Sequence, residues 1–255
     1  MPDFHDSPTD RSLAASKRDS LRQRGNEIYG PGLPGNPHGF GGLAGRYRGN
    51  QFALASAVDP ILQLRVRLRS SLLLDNWLLR NLCPGSVACD TTTTRLQGIR
   101  AGRRVSVDCA LLTRFQDGSV VADHVVKHAS PEISDTWTDF QSVARAHGYL
   151  PVLRRAMDIR ANGTLLDSLD DMRKLLVDQM GRPSLSAAGI AAIEVTLRGT
   201  GPMAINALVA SVLQAIPAAD MIMLDAQLIH MYRQQRVSLN IAEVRYGDRT
   251  TVHLI

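Results

Sequence analysis

Asp108 and Lys127 are the residues whose types and placement suit chemistry on a phosphate. Asp108 lies in the run Val105–Leu112, and Lys127 closes the run Ser119–Val126. Gln116-Asp117-Gly118 between them is a strong turn signal, so the two runs read as the strands of a hairpin. Side chains alternate along a strand, so residues two apart share a face. A carboxylate on each strand would hold a divalent metal, and a lysine two residues after the second carboxylate would face the same site. There it orients or deprotonates the attacking water, or stabilises the charge developing on the phosphate. The second carboxylate should then stand at position 125, where the chain has Val125. The plainer reading of Asp108 and Lys127 is a cross-strand ion pair, worth about 0.2–1 kcal/mol at a surface.

Other reactive side chains give weaker patterns. Asp75, Asp123 and His124 are near in sequence; Asp123 shares a strand face with Val125 by parity but lies closer to the strand start. His124 and His128 are four apart, which makes no ligand pair at a strand end, and His128 and His147 read as surface or capping residues. Cys83, Cys89 and Cys109 form no CxxC pair. An odd cysteine count, with an acidic and polar opening MPDFHDSPTD that is no signal peptide, indicates reduced thiols and a cytoplasmic protein. Cys83 and Cys109 then read as small core residues.

These positions need a scaffold. Residues 1–50 read as a basic, Gly- and Pro-rich tail, with a weak helix over Asp10–Arg24 and no capacity for structure from Gly30 to Asn50. In that stretch Arg46, Tyr47 and Arg48 are candidates for backbone contacts to a nucleic acid. Leu64–Arg69 alternates apolar and basic, a strand pattern, and Leu72–Leu82 is an amphipathic helix ended by Pro84 and Gly85. Thr91–Leu96, a turn at Ala101-Gly102 and the hairpin follow. Then come a helix over Ile133–His147, a short buried strand at Tyr149–Leu153 and a helix over Thr164–Met180. Gly181-Arg182-Pro183 breaks the chain. The remainder reads as helices Ser186–Leu197, Ala204–Ile216 and Asp220–Gln235, with turns at Gly199–Pro202 and Pro217, and strands Val237–Val244 and Thr250–Ile255. Three helices and a two-stranded ribbon are a winged-helix order.

A family resemblance rests on particular segments: Ser70-Ser71-Leu72-Leu73-Leu74-Asp75, Val107-Asp108-Cys109-Ala110, Gln116-Asp117-Gly118, Val125-Val126-Lys127, Ala144-Arg145-Ala146-His147-Gly148-Tyr149 and the helix Leu165–Leu176. Through them residues 70–180 resemble the endonuclease domain of the TnsA family, the subunit of heteromeric transposases that nicks the 5′ ends of the element. The C-terminal part is similar as well. The resemblance implies an α/β fold, with a restriction-endonuclease-like domain (a mixed sheet flanked by helices) at 51–180 and a small winged-helix-like domain at 181–255. It also implies a Mg²⁺ cofactor, DNA as substrate, and a DDE-type transposase and an AAA+ regulator ATPase as partners. The departures matter as much. The helix glutamate of the family aligns with Ser70, a second acidic position with Leu74, and the hairpin glutamate with Val125. Asp108 and Lys127 remain, too few to hold Mg²⁺, which needs hard oxygen ligands in near-octahedral array.

Bulk properties agree with a nucleic-acid partner without requiring one. The 255 residues carry a net charge of +5, almost all of it arginine; lysine occurs only at Lys17, Lys127 and Lys174. Scarce aromatics imply a largely aliphatic core, and no apolar run is long enough to span a membrane. Arg65, Arg67 and Arg69 share one strand face, either as a charged guard on a sheet edge or as a DNA-contacting stripe. The third C-terminal helix, with Met221, Met223 and Met231, is too apolar for a groove reader and suits a protein partner or backbone contact. The expectation is a catalytically degenerate TnsA-like subunit that needs no cofactor. The alternatives are an active metal-dependent endonuclease and a DNA-binding regulator of a mobile element.

Overall fold

Leu64–Leu68 forms β2, and its Val66 and Leu68 turn inward while Arg65 and Arg67 face out, as the alternating pattern predicts. The structure is a computed structural model that describes residues 55–92, 95–127 and 133–255. The tail 1–50 and His128 lie outside them. Strand β1 (Ala55–Asp59), which its short Ala-rich sequence did not signal, pairs antiparallel with β2. Helix α1 (Ser71–Asn81) starts on Ser70, whose Oγ accepts from the Leu73 amide at 3.3 Å. It buries Leu72, Trp77 and Leu78.

The next elements make a four-stranded sheet. They are β3 (Ser86–Asp90), β6 (Leu111–Phe115), β7 (Val120–Val126) and β8 (Leu150–Arg155), in spatial order β3-β6-β7-β8. The first three run antiparallel; β7 and β8 are parallel. A parallel pair needs a crossover, and α2 (Ile133–Ala146) supplies it. Helix α1 precedes the sheet, so the architecture is mixed α/β, with a mixed sheet flanked by helices, as expected.

One strand is divided where the sequence reads as continuous. The run 105–112 breaks at Cys109-Ala110. Upstream of the break, β5 (Arg103–Asp108) pairs with β4 (Arg95–Arg100); downstream, β6 pairs with β7. The two-stranded ribbon β4–β5 packs one face on α2. There Leu96 and Val107 are buried, and a Cβ on Gly98 would lie 3.0 Å from Val143. The hairpin over Gln116-Asp117-Gly118 is present, with Gly118 at φ +82°, but Asp108 belongs to the ribbon rather than to it.

After α3 (Ala156–Ile159) and α4 (Gly163–Gln179), Gly181 adopts φ +82° and the helix ends. Then come α5 (Ala187–Thr200), β9 (Met203–Ala204), α6 (Ile205–Ala215), α7 (Met221–Arg233), β10 (Val237–Leu239) and β11 (Thr251–Leu254). Strand β9 lies just past the expected turn and pairs with β11, giving a sheet ordered β10-β11-β9. Strand β10 stops at Leu239 because Asn240 begins a turn: its backbone oxygen accepts from the Glu243 amide, and its side-chain oxygen accepts from the Thr251 amide at 2.7 Å.

The core does not stop at Gly181. Leu169, Met172 and Leu176 of α4, Trp77 of α1 and Leu224, Leu228 and Ile229 of α7 belong to one buried cluster. Helix α7 therefore offers less apolar surface than its sequence suggests. Met231 is fully buried, and Met221 alone on this helix is exposed, at 59%. No helix among the described residues is long and apolar enough to cross a membrane.

Burial of α7 perturbs one acid. The Asp225 carboxyl is pushed up to about 6 by burial, against the opposing pull of the hydrogen bond donated by the Tyr246 hydroxyl at 3.3 Å. The folded state thus holds this proton more tightly than the unfolded chain, whose ordinary value is 3.8. Its contribution to stability is full below that ordinary value and is lost as pH rises through about 6. Urea unfolding across pH 4–8 (roughly the interval set by linkage) should show Asp225→Asn gaining on the wild type as pH rises. Parallel pH profiles would contradict this.

Candidate functional site

Strand β7 presents two different faces. Ala122 and His124 turn toward α2, where the His124 ring lies 5.0 Å from that of Phe140 and 6.3 Å from that of Trp137. Its Nδ1–H donates to the Asp108 carbonyl at 3.1 Å. Residues of the other parity, Asp123 and Val125, turn toward α1.

Asp123 is the buried centre of the site, with no exposed surface. Arg80 grips it with both ends of its fork: Nη2 donates to Oδ1 at 2.6 Å and Nε to Oδ2 at 2.8 Å. Asn76, one helical turn before Arg80, donates to Oδ2 at 3.1 Å. The Asn76 carbonyl oxygen in turn accepts from Arg154 Nε at 3.0 Å. Arg154 stands beside Val125 in the β7–β8 register. Burial pulls the Arg154 guanidinium below its ordinary value, and the neighbouring Arg80 adds to the shift. Burial acts on Arg80 in the same sense, but the hydrogen bonds and charge of Asp123 outweigh it and raise its pKa.

The remaining predicted site residues are scattered around this network. Ser70 caps α1. Asp75 is held by Arg160 at 2.7 Å. Asp108 is 64% exposed and pairs with Arg95 at 3.1 Å. Lys127, just beyond β7, is exposed. Among the described residues no ion pair joins Asp108 to Lys127, so the plainer reading of the two as a cross-strand ion pair does not hold; Asp108 pairs with Arg95 instead. The reason is the interruption of the strand at 109–110: Asp108 ends β5, whose register sets it opposite Arg95.

A divalent cation does not fit these residues. Val125 has no ligand atom, Ser70 is engaged as a cap, and Asp123 already receives three donors from Arg80 and Asn76. Arg80 and Arg154 supply the positive charge around Asp123.

The arginine row is shorter than predicted. Arg65 and Arg67 project from the outer face of the β1–β2 ribbon, while Arg69 lies past the end of β2 and is half-buried. Among the described residues no carboxylate pairs with Arg65 or Arg67. The residues that sequence reasoning missed are Asn76, Arg80 and Arg154. Their signal is faint: two polar residues four apart on an otherwise apolar helix face, and a basic residue in a short strand.

No protein-family model matches the chain, and no curated protein matches it.

Proposed function

We propose that the chain is a DNA-binding subunit of a transposition complex, built on a nuclease-like scaffold of the TnsA type whose metal site has been replaced. The observation that carries this reading is the Arg80–Asp123–Asn76–Arg154 network, which occupies the sheet face where a metal-dependent nuclease needs free carboxylates. Two features of the fold support it. With the β4–β5 ribbon set aside as an insertion between β3 and β6, helix α1, strands β3, β6 and β7, helix α2 and strand β8 accord with the helix, strands, helix, strand order of restriction-endonuclease-like domains. The order α5, β9, α6, α7, β10, β11, with its three-stranded sheet, accords with a winged helix. Helix α7, the element a winged helix sets in a groove, is packed inside. DNA contact therefore falls to the arginine faces of the β ribbons, and the C-terminal part serves assembly. On this reading the protein works in the cytoplasm beside a DDE-type transposase and an AAA+ ATPase.

Two measurements test the proposal. Supercoiled plasmid incubated with Mg²⁺ or Mn²⁺ should remain uncut; metal-dependent nicking that Asp108→Ala abolishes would falsify the degenerate-site reading. Binding to duplex DNA should weaken with salt, since each phosphate neutralised adds about 0.9 to the log–log slope. Arg65→Ala combined with Arg67→Ala should lower that slope by up to about 1.8. A flat salt dependence in the wild type would sink the DNA-binding reading.

A further inference from the structure

We propose that the β4–β5 ribbon is a DNA-binding arm that enters a groove of the duplex, with Arg103 and Arg104 on the phosphates and Ile99 against the groove wall. The inference rests on the DNA-binding reading above and goes beyond it by naming the element that makes the contact.

The ribbon is an addition to the sheet. It leaves the main sheet after β3 and returns to it at β6, and its two strands pair only with each other. One face is clamped to α2: Leu96 and Val107 are buried, Gly98 meets Val143, Arg100 pairs with Asp139, and His147 Nε2–H donates to the Gln97 carbonyl at 2.8 Å. The opposite face is exposed and carries Gln97, Ile99, Arg104 and Ser106, with the Arg95–Asp108 ion pair at the end away from the tip. A clamped ribbon presents that face in a fixed orientation, so little ordering is required when a partner arrives.

The chemistry of the tip suits DNA. Arg100 stands directly across from Arg103 at the end of the clamped face, and Arg104 across from Ile99 on the exposed one. Like charges opposite one another on a two-stranded ribbon are unfavourable. Asp139 answers Arg100; among the described residues no carboxylate pairs with Arg103 or Arg104. The tip thus carries an uncompensated positive charge that a polyanion relieves. Ile99 is 71% exposed in the middle of it. An apolar side chain flanked by guanidiniums fits a groove, where phosphates line the rims and the walls are sugar and base edges. A two-stranded ribbon has the cross-section that the major groove admits. Ala101 and Gly102, at φ +49° and +75°, close the strands in a tight turn that keeps the tip narrow.

The test is fluorescence anisotropy of the full chain with a labelled duplex oligonucleotide over a salt series. All three side chains are exposed, so the variants should fold as the wild type does. Arg103→Ala with Arg104→Ala should lower the log–log salt slope by about 1.8, two phosphates at about 0.9 each. Ile99→Ala should weaken binding several-fold with the slope unchanged. Wild-type binding with an unaltered slope in the double arginine variant overturns the arm while leaving DNA binding intact, and would point to an acidic protein surface instead. A slope change with no effect of Ile99→Ala overturns groove entry. No binding by the wild type overturns the functional reading and the arm with it.

Discussion

Arg80→Met should destabilise the protein by about 3–5 kcal/mol, as expected when one member of a buried ion pair is removed. Asp123 has no exposed surface, so without Arg80 its charge keeps only the single hydrogen bond from Asn76. A buried carboxylate left that way either stays ionised at high cost or takes up a proton. The pair as a whole contributes much less than this loss, because bringing both charges out of water offsets most of their attraction. Arg80→Met combined with Asp123→Leu should therefore recover more than half of the stability lost in the single variant. Urea unfolding of the two single variants and the double variant forms a cycle that isolates the coupling. A loss below about 1 kcal/mol for Arg80→Met would place the pair among ordinary surface contacts and remove the main support for a replaced metal site.

That network also shows where the sequence was readable and where it was not. The helices carry their own start and stop signals. Ser70, Asn162, Ser186 and Asp220 all cap helices with their side chains, and the predicted bounds fall within about three residues of the observed ones, a normal margin for helix ends. Strands β1, β3 and β9 were not legible, because strand formation depends on a partner far away in sequence and short strands carry little pattern. The division of 105–112 at Cys109-Ala110 was invisible for the same reason: alternation continues through the break, and only pairing with β4 on one side and β7 on the other divides it. The candidate site followed suit. Asp108 and Lys127 stood out by type, but the carboxylate at the centre is Asp123, whose burial comes from Arg80, 43 residues away. Parity put Asp123 on the right face; its partners lay on another element.

Arg233→Met should cost about 3–5 kcal/mol, since three backbone acceptors, two of them in buried hydrogen bonds and the third in a part-buried one, lose their donor together. The Arg233 guanidinium is almost fully buried at the end of α7. It donates to the carbonyls of Asn81 at 3.1 Å, Ser86 at 3.0 Å and Val87 at 3.2 Å. Asn81 closes α1, where carbonyls lack helical partners and a cation is favoured; Ser86 and Val87 open β3. One side chain thus ties the C-terminal segment to the first helix and to the edge of the main sheet. Burial lowers the Arg233 pKa, while the charge of buried Asp59 works the other way. For a chain of this size the expected loss lowers the melting temperature by roughly 6–20 °C. Calorimetry of Arg233→Met beside the wild type measures it, and a shift under about 3 °C would show that the carbonyls find other donors. The same geometry bears on truncation after Met180. Gly181-Arg182-Pro183 is a break in secondary structure but not in the core. Removing 181–255 would expose Leu169, Met172 and Leu176 and leave those three carbonyls without Arg233. The shortened chain should therefore fail to fold, and DNA binding in it would vanish for a reason unrelated to where DNA binds. Point substitutions on the exposed ribbons, which leave this tie intact, are the variants that separate stability from recognition.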